Sequence, residues 1–336
     1  MASGNAPLRV GVAGCGLIGR RRAREVARSP HSQLVAVADA RLEAARETAA
    51  EFAAHAVEDW RELVADPNLD VIVVSTPNGY LAEIAIAALA AGKHVLTEKP
   101  MGRNVEEARA MAEAAERSGK RLKVGFNHRY HPALRRAHAL FAGDAIGTLI
   151  NLRVRYGHGG RAGYEREWRG DPELAGGGEL TDQGVHALDL IHWFAGMPSD
   201  AVAFTQTAVW PIAPLEDNAF ALLRFPGGAI ASVHTSWTQW KNLFSFEVFG
   251  NRGALIVEGL GGSYGVETLT LYERAPAGGA PATTVERFEG ADESWRDEWS
   301  AFTAGILHDT PYDGGPADGL AVMTMLADLY RAALGG

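Results

Sequence analysis

The chain has 336 residues, 47% hydrophobic and 22% charged, with a formal net charge of −9 and one cysteine. That length and balance point to two folded domains, and the acidic charge excludes nucleic acid as the main partner because a basic footprint is missing. Cys15 alone excludes an intramolecular disulfide and fits a reducing compartment; with no apolar h-region in MASGNAPLRV and no run near the roughly 18 apolar residues of a membrane span, the expectation is a cytoplasmic protein without a membrane partner.

Leu8 to Ala13 is a short apolar run ending in glycines, and Leu17 to Arg28 has helical spacing that stops near Ser29-Pro30. The basic run Arg20, Arg21, Arg22 and Arg24 reads as a solvated face of that helix. A strand over 33–38 and an Ala- and Arg-rich helix over 42–54 follow. DVIVVS, residues 70–75, has four consecutive apolar β-formers between polar flanks, the pattern of a strand buried on both faces. Next come a helix over 82–91, a strand over 94–97 and a helix over 105–117, the last capped by Asn104 with Glu107 three residues on. A strand over 122–126 closes the series. Strands alternating with helices of this length predict an α/β, doubly wound parallel sheet.

Beyond about residue 147 the rhythm changes. Residues 149–156 alternate between two faces, and one helix spans 182–195. Strand-like runs then cover 201–208, 218–225, 229–237, 245–249, 254–257 and 269–273, some separated by glycine pairs such as Gly227-Gly228. Successive strands without helices between them predict an α+β domain with a large, mostly antiparallel open sheet. APAGGAPATT, residues 275–284, reads as a surface loop. Two helices finish the chain, with Trp295, Trp299 and Phe302 as a packing face. No internal repeat is visible, and an exposed sheet face is a candidate surface for self-association.

The first strand runs into GVAGCGLIG, which places G-x-G-x-x-G on Gly14, Gly16 and Gly19. The first glycine makes the tight turn, the second lets backbone approach a pyrophosphate, and the third packs helix against strand, with the helix N-terminus at Leu17 and Ile18 facing the anion. Asp39 stands about 20 residues further on, where a ribose 2′-hydroxyl is read. It would repel a 2′-phosphate and so favours NAD over NADP, while Arg41 pulls the other way. Cys15 reads as a small filler in the loop.

Parallel sheets present ligands at the carboxyl ends of their strands. Ser75-Thr76-Pro77-Asn78 and Glu98-Lys99-Pro100 both occupy such ends. GCGLIG, STPN, HVLTEKPMG, GFNHRYHP and GGGELTDQGVHALDLIHW, in that order, resemble the glucose-fructose oxidoreductase / inositol dehydrogenase family over nearly the whole chain. The resemblance implies an NAD-binding Rossmann domain over 1–127 and a substrate-binding and oligomerisation α+β domain over 128–336, with the terminal helices able to pack back on the first. It also implies a homodimer or homotetramer through the second sheet.

By that resemblance Lys99, Asp182 and His186 are the catalytic residues. Gly14, Gly16, Leu17, Ile18, Asp39, Arg41, Ser75, Thr76, Asn78, Glu98, Lys99 and Asn127 would bind the cofactor. The chemistry agrees: an imidazole suits the base that removes a hydroxyl proton, and a lysine ammonium stabilises a developing alkoxide. Asp182 lies at i−4 from His186, so one cleft can receive both. The isomer of the Lys99-Pro100 bond stays open. A metal on His186, Asp189 and His192 is disfavoured, since the two histidines point about 120° apart on a helix. Asp189 reads instead as an orienting partner of His186.

Arg129, Tyr156, Trp168, Arg169, Asp182 and His186 are the expected contacts to a polyhydroxylated small molecule. Arg161, Tyr164 and Arg166 of the Gly-rich stretch 157–178, His131, Trp237 and Trp240 are further candidates. Relatives often carry a histidine where Leu81 stands, and helix packing would absorb that departure. GSYGVETLTLY and W-x-x-E-W loosely resemble members acting on nucleotide-linked sugars. The resulting expectation is oxidation of a secondary hydroxyl of a sugar, nucleotide sugar or cyclitol. The alternatives are an NADPH ketoreductase, a non-catalytic dinucleotide sensor and a redox-neutral glycosidase-like enzyme.

Overall fold

The computed structural model describes residues 6–335, which divide into two units: 6–126 with 295–320, and 127–294 with 321–335. In the first unit β1 (Leu8–Ala13), α1 (Leu17–Arg28), β2 (Ser32–Ala38), α2 (Leu42–Phe52), β3 (His55–Val57), α3 (Trp60–Ala65), β4 (Val71–Val74), α4 (Asn78–Ala90), β5 (His94–Thr97), α5 (Val105–Ser118) and β6 (Leu122–Val124) follow one another. The strands form one parallel sheet in the order β3-β2-β1-β4-β5-β6. Val71 to Val74 are fully buried, because helices cover both faces of a doubly wound sheet.

The expected elements are present, with two additions. β3 and α3 have too few residues to show a period, and pairing with β2 rather than local pattern forms the strand. Helix α4 begins at Asn78 rather than 82, directly after Pro77, where proline's missing N–H costs a helix nothing. Asn104 caps α5 through Oδ1, 2.8 Å from the Glu107 N–H. Leu81 is fully buried in α4. Trp299 and Phe302, on the helix Ser294–His308, join the core of this unit, and Trp299 Nε1 donates to Ser32 Oγ at 2.9 Å.

The basic run on α1 is not uniformly solvated. Arg20 and Arg24 reach Glu47 and Glu51 of α2 on the surface. Arg22, however, is buried, its side chain 2% exposed. Nε donates to Glu98 Oε1 at 2.7 Å and the guanidinium also meets Glu298 Oε2 at 2.5 Å. Glu298 Oε1 lies 3.5 Å from Lys123 Nζ, both wholly buried. Charge density alone could not separate one buried arginine from its solvated neighbours, because its partners lie 76 and 276 residues away.

A pH effect follows from β5. His94 Nδ1 accepts the Arg121 N–H at 3.0 Å, and burial, with Lys120 and Arg121 nearby, pushes its pKa down from 6.5 to about 4. Between those values the unfolded chain protonates this ring and the folded chain does not, so stability is lost as pH falls through that window. The thermal midpoint should therefore drop between pH 7 and pH 4, and drop less in His94→Asn. Identical pH dependence in the two proteins would remove His94 from the account.

In the second unit α6 (Pro132–Ala142) precedes β7 (Leu149–Gly157), and a loop with α7 (Pro172–Ala175) leads to a π-helical turn, Leu180–Gly184, that runs straight into α8 (Val185–Ala195). Then come β8 (Asp200–Gln206), β9 (Asn218–Arg224), β10 (Ile230–Ser236), β11 (Leu243–Gly250), β12 (Gly253–Glu258), β13 (Glu267–Glu273) and β14 (Ala282–Phe288). The sheet order is β14-β13-β12-β11-β7-β10-β9-β8, and only β7 and β10 pair in parallel. Gly228, with φ +83°, turns β9 into β10.

Leu152, Val154 and Tyr156 of β7 are buried on the face that α8 packs against. Val202, Phe204, Phe220 and Leu222 are exposed, and they line a groove of about 650 Å³ with Arg153, Arg155 and His234. Helix α6 was not anticipated: Pro132 starts it, and only Ala133, Leu134 and Ala137 are buried. The stretch 275–284 is a loop only as far as Pro281; β14 begins at Ala282. It is an edge strand with mostly exposed side chains, so it shows no alternation, and pairing with β13 makes it a strand.

Candidate functional site

The ends of β1 and β4 lie side by side where the strand order reverses, the place where doubly wound sheets take their ligands. Gly14 has φ +97°, and a Cβ there would sit 2.5 Å from Ser75 O. A Cβ on Gly19 would collide with Gly14 O, whereas Gly16 has open space around it. These are the turn, packing and approach roles of the fingerprint. No side chain caps α1, whose first residue Leu17 is exposed. Ser75 Oγ and Thr76 Oγ1 are buried without a hydrogen-bond partner among the described residues. A cradle with uncommitted N–H groups, a glycine gap and spare hydroxyls fits a dinucleotide.

Asp39 ends β2 and is tied into this loop. Its Oδ2 accepts the Cys15 N–H at 2.8 Å and Oδ1 the Arg41 N–H at 2.9 Å, while the Arg41 side chain is largely exposed. Cys15 is buried, which pushes its thiol up to about 11 and keeps it protonated. Asn78, the first residue of α4, is buried.

At the end of β5 the Lys99-Pro100 bond is cis. Glu98, expected among the cofactor contacts, gives its carboxylate to Arg22 instead. Gly125 belongs to that arrangement, because a Cβ there would stand 2.7 Å from the Arg22 guanidinium.

In the second unit Asp182 lies in the π-helical turn and His186 in the first turn of α8. Arg169 Nε donates to Asp182 Oδ2 at 3.0 Å, and its guanidinium lies over the Trp168 ring at 4.4 Å. Tyr156, on β7, has its ring 6.4 Å from that of His186 and 5.3 Å from that of Tyr264. Burial first, then Tyr264, Glu179 and Asp182, hold the Tyr156 hydroxyl well above its ordinary pKa, so it stays protonated. The structure thus brings together Asp182, His186, Tyr156, Trp168 and Arg169.

The remaining candidates separate. Arg129 is buried and donates to Asp189 from Nε and a terminal nitrogen, at 2.7–3.1 Å, so the pair reads as internal wiring rather than an open substrate contact. Asp189, read in the sequence as an orienting partner of His186, accepts these bonds from Arg129. Asn127 Nδ2 donates to Ser294 Oγ at 3.0 Å, and His131 Nδ1 lies 2.6 Å from Glu267 Oε1. Tyr164 and Trp237 are core residues with Ile212 and Leu215, and Trp240 is exposed. Arg161 pairs with Glu167, and Arg166 is exposed.

Two matches decide what kind of protein carries these features. The family model "Oxidoreductase family, NAD-binding Rossmann fold" matches residues 8–126, and the "GFO/IDH/MocA C-terminal domain" model matches 134–256. The chain belongs to the Gfo/Idh/MocA oxidoreductases. Levoglucosan dehydrogenase of Pseudarthrobacter phenanthrenivorans is 30% identical over 74% of this chain and 73% of its own length. The 1,5-anhydro-D-fructose reductase of Ensifer adhaerens is 33% identical over 83% and 82%. A solved levoglucosan dehydrogenase in complex with NADH and levoglucosan superposes with a TM-score of 0.89 at 25% identity, over 98% of both chains. The first unit of this Gfo/Idh/MocA protein is accordingly an NAD-binding Rossmann domain.

Several side chains around Asp182 and His186 escaped the sequence reading of this family member. Glu216 accepts the Gly178 and Leu180 N–H groups at 3.2 and 2.9 Å and so caps the segment that carries Asp182. Tyr330, on the last helix, donates to the same carboxylate at 2.8 Å and meets Thr181 Oγ1 at 2.8 Å. A Cβ on Gly177 would collide with Thr181 and Tyr330, which explains part of the GGG run. His128, between the singled-out Asn127 and Arg129, stacks on His186. No spacing marks it, because a 3-10 turn sets where it points.

Proposed function

We propose that this protein oxidises a secondary hydroxyl of a sugar, nucleotide sugar or cyclitol, leaving a ketone. The observation that carries the reading is the Asp182–His186 turn, with Tyr156, Trp168 and Arg169 grouped around it, in a chain whose other unit binds NAD and carries Lys99 two residues beyond the end of β5. NAD, when bound, supplies the acceptor for the hydride. His186 takes the hydroxyl proton on a ring nitrogen, and the Lys99 ammonium stabilises the oxygen as that proton leaves. Arg169 holds Asp182 in place, so the carboxylate can accept a hydrogen bond from a neighbouring substrate hydroxyl. Tyr156, kept protonated, can donate one. Gly14, Gly16, Leu17 and Ile18, with Ser75, Thr76 and Asn78, would hold the dinucleotide, and Asp39 favours NAD over NADP.

The 33% identical relative is named as a reductase, which supports the same site running in reverse, with His186 returning the proton. A second copy of the chain is the proposed cover for the exposed apolar residues of the second sheet, since patches of that kind mark association surfaces.

The test is nicotinamide reduction by the purified protein with NAD or NADP against inositols, free and anhydro hexoses, sugar phosphates and UDP-sugars. Turnover of one class with NAD identifies the substrate family. Tight NAD binding with no turnover in either direction across the panel would overturn the dehydrogenase reading.

A further inference from the structure

His128 has no role in the proposed chemistry, yet it makes a close contact with a residue that does. Its ring centroid lies 3.8 Å from that of His186 with 15° between the planes, a face-to-face stack. The contact is built into the fold. His128 sits in the 3-10 turn Asn127–Tyr130, all four of whose residues are buried. Its Nδ1 lies 3.3 Å from Asn127 Oδ1, and Asn127 is tied in turn to Ser294. Tyr156 and Phe244 close on the same ring edge-on at 5.3 and 6.1 Å, and His131 at 5.6 Å.

Two imidazolium rings so close in a buried setting repel, so a proton on one disfavours a proton on the other. The pair then titrates as a unit in two steps. Charged groups on the neighbouring elements face the same region. Asp182, on the π-helical turn, is engaged by Arg169, and Asp189, on α8, by Arg129. Glu267, on β13, lies 2.6 Å from His131, and Asp292 lies 4.0 Å from the same ring. Glu179, one residue before the π-helical turn, acts on Tyr156 and Tyr264.

We infer that His128 is a positioning residue for His186: it fixes the plane of that ring and holds it neutral near neutral pH, in the form that accepts a proton. The inference rests on His186 being the base of the proposed reaction. Its test uses the full-length protein with NAD bound and follows imidazole carbon-bound protons by NMR across pH. The His186 resonance is assigned by its loss in His186→Asn. His128→Gln removes the second titrating ring, and His128→Phe removes its charge but keeps a flat ring in the stack.

Both variants should raise the His186 midpoint, by about one pH unit, and move the acid limb of the pH–rate profile the same way. At the optimum pH, His128→Phe should retain more of kcat than His128→Gln, because the ring plane is preserved. A His186 midpoint unchanged in both variants would overturn the inference. Should the midpoint move while His186→Asn still turns over at the parent rate, the coupling stands and it is the assignment of His186 as base that falls. If one variant does not fold, the other reads the same midpoint.

Discussion

Lys99→Ala should bind NAD as tightly as the parent protein and turn over about 10²–10³ times more slowly, the usual cost of removing one donor aimed at developing negative charge. The dissociation of the two effects comes from the fold. The pyrophosphate cradle is made by Gly14, Gly16 and the start of α1, and the hydroxyls beside it belong to Ser75 and Thr76. None of these groups lies on β5, and the strand that leads to Lys99 is held by backbone pairing to β4 and β6. What the substitution removes is a positive charge matched to the oxygen of the transition state, so the loss should fall on kcat with KM little changed. Lys99→Arg keeps the charge but replaces a compact ammonium by a planar fork, and should recover little. Steady-state kinetics with the substrate class found above, together with NAD titration of the variant, decides the matter. A kcat within twofold of the parent would take Lys99 out of the mechanism.

Arg22→Met should cost about 3–5 kcal/mol of stability, the range for removing one partner of a buried ion pair. The guanidinium is the shared partner of two carboxylates, Glu98 at 2.7 Å and Glu298 at 2.5 Å, and all three side chains are almost wholly buried. Lys123, 3.5 Å from Glu298, can compensate that carboxylate in part, but Glu98 would be left charged among apolar neighbours. Removing one charge of each sign should be milder: Arg22→Met combined with Glu98→Gln should recover much of the loss, since it leaves Glu298 paired with Lys123 and no buried charge unbalanced. Denaturant unfolding of the three proteins measures both the loss and the recovery. A loss below about 1 kcal/mol in Arg22→Met would show that the network is not needed to keep Glu98 folded inside.

This network also shows where local reading stops. The glycine fingerprint, Asp39 and the Lys99 strand end were legible because their chemistry requires particular residue types at particular short spacings. The alternating strands of the first unit and nearly all of the second sheet were legible from period and turn residues. The three-residue β3 and the largely exposed β14 were not, since neither buries enough side chains to imprint a pattern. Helix α6 was missed because Leu134 is the only large side chain on its buried face. Among candidate site residues, the sequence singled out Asp182, His186, Tyr156, Trp168 and Arg169, and the fold groups them. Arg129, equally prominent in the sequence, is turned inward to Asp189.

By itself, then, the sequence determined the two kinds of sheet, the dinucleotide loop and the family to which this chain belongs, because each is written in contiguous residues whose spacing is their geometry. Only the tertiary structure decided which charged side chains are exposed. Arg20 and Arg22 differ by two positions on one helix, yet one lies on the surface and the other inside, and the partners that hold Arg22 come from distant strands and helices. The same holds for His128 and His186: nothing in residues 58 positions apart announces a stack, and only the packing of a 3-10 turn against a helix creates it.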